Sequence, residues 1–138
     1  MNPTIEKFGY PATLVRDYTH WVLLVRPAQV TAGSLILAAK SDVTAYGELP
    51  AAAFTEQATI VAEVEQMLRR AVNMDKINYL MLMMVDPHVH FHIFPRYRGQ
   101  RSFAGLVLAD QGWPGPPDLK SAIELDSTAI GQAVDALR

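Results

Sequence analysis

The 138-residue chain contains no cysteine. That absence removes disulfides, thiolate nucleophiles and every Cys-ligated zinc site, and it suits a reducing compartment. No excess of either charge is present: 12 basic residues stand against 14 acidic ones, a formal net charge of −2, so the whole chain has no general attraction to nucleic acid or an anionic membrane. No apolar run reaches the roughly 18 residues that a membrane span needs, and Met1–Tyr10, with Pro3, Glu6 and Gly9, lacks the apolar core of a signal peptide. Walker-type loops, a Gly-x-Gly-x-x-Gly fingerprint and a His-Glu-x-x-His helix are also missing, which disfavours P-loop, dinucleotide-redox and zincin chemistry. What is abundant is apolar matter, 50% of residues against 19% charged, enough for one core and too much for disorder. A single domain over 1–138 is expected, in a cytoplasmic protein.

Strand-like patterns come first. Thr19–Arg26 (T-H-W-V-L-L-V-R) is rich in β-branched and aromatic residues and is closed by Pro27; after the Ala32-Gly33 turn, Ser34–Ala39 completes a hairpin, with Thr13–Asp17 as a short strand upstream. After Gly47, Phe54, Ala58, Val61, Val64, Leu68 and Ala71 recur in steps of three and four, giving an amphipathic helix over about 50–72 that Pro50 opens and Asn73 stops. Ile77–Val85 reads as a buried strand ending in an Asp86-Pro87 turn. His88–Pro95 is a strand with one apolar face, and Phe103–Ala109 an edge strand or a continuation of it. Pro114, Pro116 and Pro117 exclude helix and ladder, making 112–117 an ordered arm or a linker. A helix follows from Ser127, with Ala129, Ile130, Ala133, Val134 and Leu137 on its apolar face. Residues 112–138 thus form a Pro-rich arm and a helical C-terminal extension. The methionines at 74, 81, 83 and 84 read as flexible core filler.

Three of the four histidines, His88, His90 and His92, fall within five residues. On a strand, positions i, i+2 and i+4 share one face, so the imidazoles would line up over roughly 13 Å while Val89, Phe91 and Ile93 fill the core behind them. Imidazole titrates near neutrality and supplies nucleophile, donor or proton carrier from one residue type. Arg96, Arg98 and Arg101 follow, with no acidic residue between Asp86 and Asp110, so an anion suits this edge. Guanidinium binds phosphate oxygens, and a neutral imidazole can attack phosphorus; phosphoryl or nucleotidyl transfer is the functional reading. A metal site is the rival, with only His20 and Asp86 as further ligands, and a triad kept for binding without catalysis is a third reading.

His88-Val89-His90-Phe91-His92-Ile93-Phe94 resembles the signature of the histidine triad (HIT) family, and Pro95-Arg96 resembles its diadenosine polyphosphate hydrolase-like branch. The similarity runs over about the first 105 residues. It implies an α+β fold on an antiparallel sheet of about five strands, with the long helix between the first hairpin and the triad strand, and a C-terminal helix. It also implies a homodimer acting on dinucleoside polyphosphates, nucleoside phosphoramidates or adenylyl sulfate. His90 would attack the α-phosphorus to give a nucleotidyl-histidine that water hydrolyses, while His88 and His92 orient that ring and hold phosphate oxygens. No cofactor is required on this reading; a divalent cation such as magnesium is compatible with a polyphosphate, and no nucleic acid or membrane partner is expected. Ser34 stands where many members carry a fourth histidine, Arg26 near where relatives hold the ribose with Asn or Asp, and Met84 near an expected Asn or Gln. Substrate contacts are accordingly expected from Ser34, Arg26 and Arg96, with His20 as a stand-in for the fourth histidine.

Overall fold

In the computed structural model of the protein, which describes residues 1–138, the chain runs α1 (Pro3–Lys7), β1 (Leu14–Asp17), β2 (Trp21–Val25), β3 (Ala28–Gln29), β4 (Leu35–Ala39), α2 (Ala51–Val72), β5 (Lys76–Leu80), β6 (His90–Arg96), β7 (Gln100–Phe103), β8 (Leu106–Ala109), β9 (Ile123–Glu124) and α3 (Ser127–Leu137). Five strands make an antiparallel sheet in the order β1-β2-β4-β6-β5. The expected hairpin is its centre: Trp21 pairs with Ala39 and Val25 with Leu35. Every residue of β2 and β4 is buried, because both faces of the sheet are covered, which is why these segments read as continuous apolar runs rather than alternating ones. One face carries the main core, where Trp21, Leu23, Leu37 and Ile93 meet Leu68 of α2 and Leu137 of α3. The other carries a small cluster, Val22, Leu24, Ile36 and Ala38, closed by Ile5 of α1. Gly33, at φ +86°, turns the hairpin loop where a Cβ would come within 3.2 Å of Leu68 and 3.3 Å of Pro95; a side chain there would meet both the backbone strain and the core.

Helix α2 spans the expected range, with Pro50 as its N-cap and Asn73 in the left-handed region (φ 49°), its N–H donating to the Arg69 carbonyl. Its buried face, however, is Ala53, Ile60, Val64, Met67, Leu68 and Val72, turned by about one residue from the expected stripe. Phe54 is 38% exposed and pairs with Tyr46 at 5.1 Å; alanines on both sides let two stripes fit the same period.

Beyond α2 two expectations need correction. The strand proposed for Ile77–Val85 ends at Leu80 and is an edge strand, since the chain must leave the ladder to turn into β6; Met84 and Val85 are 86% and 83% exposed. Phe103–Ala109 is not one strand: Ala104 (φ 54°) and Gly105 (φ 76°) make a two-residue turn, and β7 and β8 form their own hairpin. Positive φ at both central positions suits the twist of a hairpin, and an alanine there hides the signal. Of the two readings of 112–117 the arm is the one observed, since the segment folds onto Arg96 through the Gly115 carbonyl. The extension is tied in twice: β9 pairs with β3, Ala28 against Glu124, and α3, capped by Asp126 accepting from the Ala129 N–H at 2.8 Å, buries Ala133, Val134 and Leu137.

The observed face of α2 makes a direct test. Met67→Ala should lower unfolding free energy in urea titrations by about 2–5 kcal/mol, and Phe54→Ala by less than about 1.5 kcal/mol.

Candidate active site

Alternation along β6 sends Phe91 and Ile93 towards the main core and places His90, His92, Phe94 and Arg96 on the opposite face. His88 lies just before the strand, so only two of the three imidazoles share the ladder. His90 and His92 sit opposite Ala38 and Ile36 of β4, with ring centroids 5.0 Å apart and planes at 73°.

Each ring has a distinct partner. The His90 ring is fully buried, and its Nδ1 lies 2.7 Å from the His88 carbonyl oxygen. A carbonyl only accepts, so in the neutral ring the proton is on Nδ1 and the lone pair on Nε2. That Nε2 is the single buried side-chain N or O atom without a hydrogen-bond partner. His92 Nδ1 accepts from Arg26 Nε at 3.2 Å, which leaves its proton on Nε2. Burial above all, then the charge of Arg26 and coupling to the neighbouring His90 ring, push the His92 pKa down to about 4, with Asp86 opposing. His88 Nδ1 meets the Thr4 hydroxyl at 2.8 Å.

The roof over these rings is α1, a helix outside the sequence expectations although Asn2-Pro3 is a helix-start signal. Asn2 caps it, accepting from the Ile5 N–H at 3.0 Å, and its amide donates to the carbonyls of Ala39 and Ser41 at 3.0 and 3.1 Å. Phe8 follows, its ring 5.6 Å from His90 and 5.9 Å from His92. Lys7 and Asp86 close the outer side at 2.6 Å. Beside the roof a cleft of about 250 Å³ is lined by Lys7, Phe8, Arg26, Pro27, Ala28 and Glu124. Thr4, Phe8 and Glu124 thus join the site from chain regions without a motif.

Of the expected substrate contacts, only Arg26 reaches the triad. Ser34 is fully buried; its hydroxyl donates to the Thr31 carbonyl at 2.7 Å and accepts from the Thr31 N–H at 3.0 Å, so it builds the hairpin turn. Arg96 shares the triad face but is spent on structure. It donates to Asp110 through Nε (2.7 Å) and Nη2 (3.1 Å), to the Asn78 side-chain oxygen (2.7 Å) and to the Gly115 carbonyl (2.9 Å). Arg101 lies over Tyr97 at 4.8 Å and donates to the Val72 carbonyl, and the Arg98 backbone binds Asp75; the basic turn is therefore not a phosphate platform. His20 immediately precedes β2, its N–H donating to the Glu56 carboxylate, and no hydrogen bond or ring contact joins it to the triad. Met84 is exposed on the loop. No three His, Asp or Glu side chains converge closely enough to hold a metal ion, and no helix is long and apolar enough to cross a membrane.

The HIT domain model matches residues 10–99. The chain belongs to the HIT family. Solved structures agree in fold: a histidine triad protein from Bradyrhizobium japonicum superposes with a TM-score of 0.74 at 19% identity, covering 99% of this chain and 93% of that one. A histidine triad protein from Sinorhizobium meliloti gives 0.69 at 18%, covering 96% and 95%, and a Zn-bound histidine triad family protein from Mycobacterium smegmatis gives 0.64 at 16%, covering 96% and 88%. No curated protein sequence shows significant similarity. This HIT chain therefore has the five-stranded antiparallel sheet, long central helix and C-terminal helix of an α+β HIT fold, and it belongs to a family of nucleotide-binding proteins, many of them hydrolases or transferases.

Two measurements test the site's electrostatics. The unfolded His92 ring takes up a proton below about pH 6.5, whereas the native ring waits until about 4; between those values protons favour the unfolded state, so this contribution to stability is present above about 6.5 and is lost as pH falls towards 4. Urea unfolding across that window should show a smaller acid-induced loss for His92→Asn than for the wild type. Arg96→Ala, which strands buried Asp110, should cost about 3–5 kcal/mol in the same assay.

Proposed function

We propose that this HIT protein is a nucleotide hydrolase or nucleotidyl transferase that cleaves a phosphoanhydride or phosphoramidate bond by covalent attack of His90. The carrying observation is the His90 hydrogen bond: Nδ1 donates to the His88 carbonyl, so the neutral ring has its lone pair on Nε2, an atom with no hydrogen-bond partner. Such a ring is a ready nucleophile, since attack needs no prior deprotonation and the Nδ1–H bond strengthens as positive charge develops on the imidazolium. Nε2 attacks the α-phosphorus of the substrate, the leaving group departs with the bonding electron pair, and water then displaces the nucleotide from the ring. Neutral His92 offers its Nε2–H to a phosphate oxygen, while Lys7, Phe8 and Arg26 in the adjoining cleft supply charge and an apolar wall for the rest of the nucleotide.

In this reading the substrate is a diadenosine polyphosphate or another adenylyl compound, magnesium accompanies the polyphosphate rather than the protein, and the protein acts in the cytoplasm as a homodimer. A second reading, nucleotide binding with little turnover, is favoured by one observation: His90 is completely enclosed beneath Phe8.

Chromatography of AMP release from diadenosine polyphosphates, adenosine phosphoramidate and adenylyl sulfate separates the two. Wild type should release AMP, and His90→Ala, folded by circular dichroism, should be slower by on the order of 10³-fold or more. Equal turnover in the folded variant sinks the nucleophile assignment, and tight nucleotide binding with no release from any substrate selects the second reading.

A further inference from the structure

His92 is the imidazole whose hydrogen-bonding state is dictated by a cation. Guanidinium has donors and no acceptor, so the nitrogen that Arg26 Nε approaches at 3.2 Å must present a lone pair. Arg26 is itself held from several sides. Its Nη1 donates to the Ala28 carbonyl, its Cζ lies 5.6 Å from the centroid of Phe94, and the charge of Glu124, which pairs with Ala28 across the β3–β9 ladder, supports the cation against burial. Phe94 stacks on His92 at 6.1 Å and 19°, so ring and guanidinium are both packed against the same aromatic side chain.

Every charged neighbour of His92 can be named. Arg26, just after β2, opposes a second proton on the ring, as does competition for a proton with the neighbouring His90 imidazole of β6; Asp86 from the preceding loop favours one, but that carboxylate is already paired with Lys7 of α1. The groups that could have supplied a proton in place of His92 are turned elsewhere: the Ser34 hydroxyl donates to the Thr31 carbonyl, His20 makes no contact with the triad, and the Nδ1 of His88 is held by Thr4.

We propose that Arg26 is a positioning residue that locks His92 as an uncharged Nε2–H donor, and that the site therefore prefers nucleotides whose leaving group departs as a stable anion, phosphoanhydrides, over those whose leaving nitrogen must be protonated. The proposal rests on the nucleotidyl-histidine reading above. In an anhydride, His90 Nε2 forms the N–P bond as the P–O bond breaks, and the electron pair leaves on a phosphate oxygen that needs no proton. Water then attacks phosphorus, the P–N pair returns to Nε2, and the water proton passes to solvent. In a phosphoramidate the P–N pair would leave on nitrogen, and an acid must deliver a proton to it; a neutral imidazole donor can hydrogen-bond to that nitrogen but gives its proton up only by becoming an imidazolate.

The test compares AMP release from diadenosine triphosphate and from adenosine phosphoramidate between about pH 5 and 8, for wild type, Arg26→Gln and Arg26→Lys, with long-range 1H–15N NMR of the histidine rings in the wild type. Expected is a wild-type kcat/KM ratio favouring the triphosphate by on the order of 10²-fold, the lower range of what a general acid contributes. In Arg26→Gln the ratio should narrow, with phosphoramidate turnover rising as pH falls, while Arg26→Lys, which keeps the charge, stays nearer the wild type. NMR should find His92 protonated at Nε2 and not Nδ1 near neutral pH. A wild type that cleaves the phosphoramidate at least as fast, or a His92 carrying its proton on Nδ1, overturns the proposal while leaving the hydrolase reading intact. Turnover of neither substrate counts against the hydrolase reading itself and removes the preference proposed with it.

Discussion

A strand in the interior of a sheet has two faces to satisfy, and β6 satisfies them with opposite chemistry. Phe91 and Ile93 enter the core beneath α2, where dense packing fixes the strand in rotation and register. With that side set, His90 and His92 have only one direction left, and both come to lie over β4 beneath α1. The precision of the triad is thus borrowed from apolar packing on the reverse side of the sheet, and the backbone completes it: the carbonyl of His88, freed because that residue precedes the ladder, is what orients the His90 ring.

Positive charge is divided between two tasks. Arg96 gathers the hairpin after the triad, β5 and the proline arm around one guanidinium, with Asp110 as its counter-ion; it stabilises the frame and has little left to offer a ligand. Arg26 lies where its charge meets the triad, touching the His92 ring and lining a cleft at once. A count of arginines near the triad motif misses this division, since what separates them is the position of Asp110 and of the Gly115 carbonyl, both remote in the sequence until the chain folds.

The sheet, the long helix and the triad strand were legible because each rests on local periodicity and because three histidines at strand spacing constrain what the surrounding residues can be. The depth of α2 was harder: alanine and valine populate several faces of that helix, so period alone left the burial direction open by one residue. The β7–β8 turn was hidden by Ala104, which carries no propensity for positive φ. The site's roof was missed because its evidence is tertiary. Thr4 and Phe8 are ordinary residues until α1 is laid over β4, and the Arg26 contact with His92 joins two strands separated by the whole of β4. Ser34 misled for a related reason, since its place in the order of the chain suggested a phosphate contact while its hydroxyl was already committed to the turn that precedes β4.

The order of the sheet also bears on how the molecule is assembled. Strand β6 is made after β5 yet lies between β5 and β4, so the first hairpin and α2 leave the synthetic machinery with the edge of β4, the apolar segment Leu35–Ala39, still unpaired. Pairings of long sequence separation form slowly, and exposed apolar edges invite association with other chains. The segment that carries His90 and His92 is therefore also the one that fills the gap in the sheet, and polar or bulky changes on the core side of β6 act on assembly before they act on the triad.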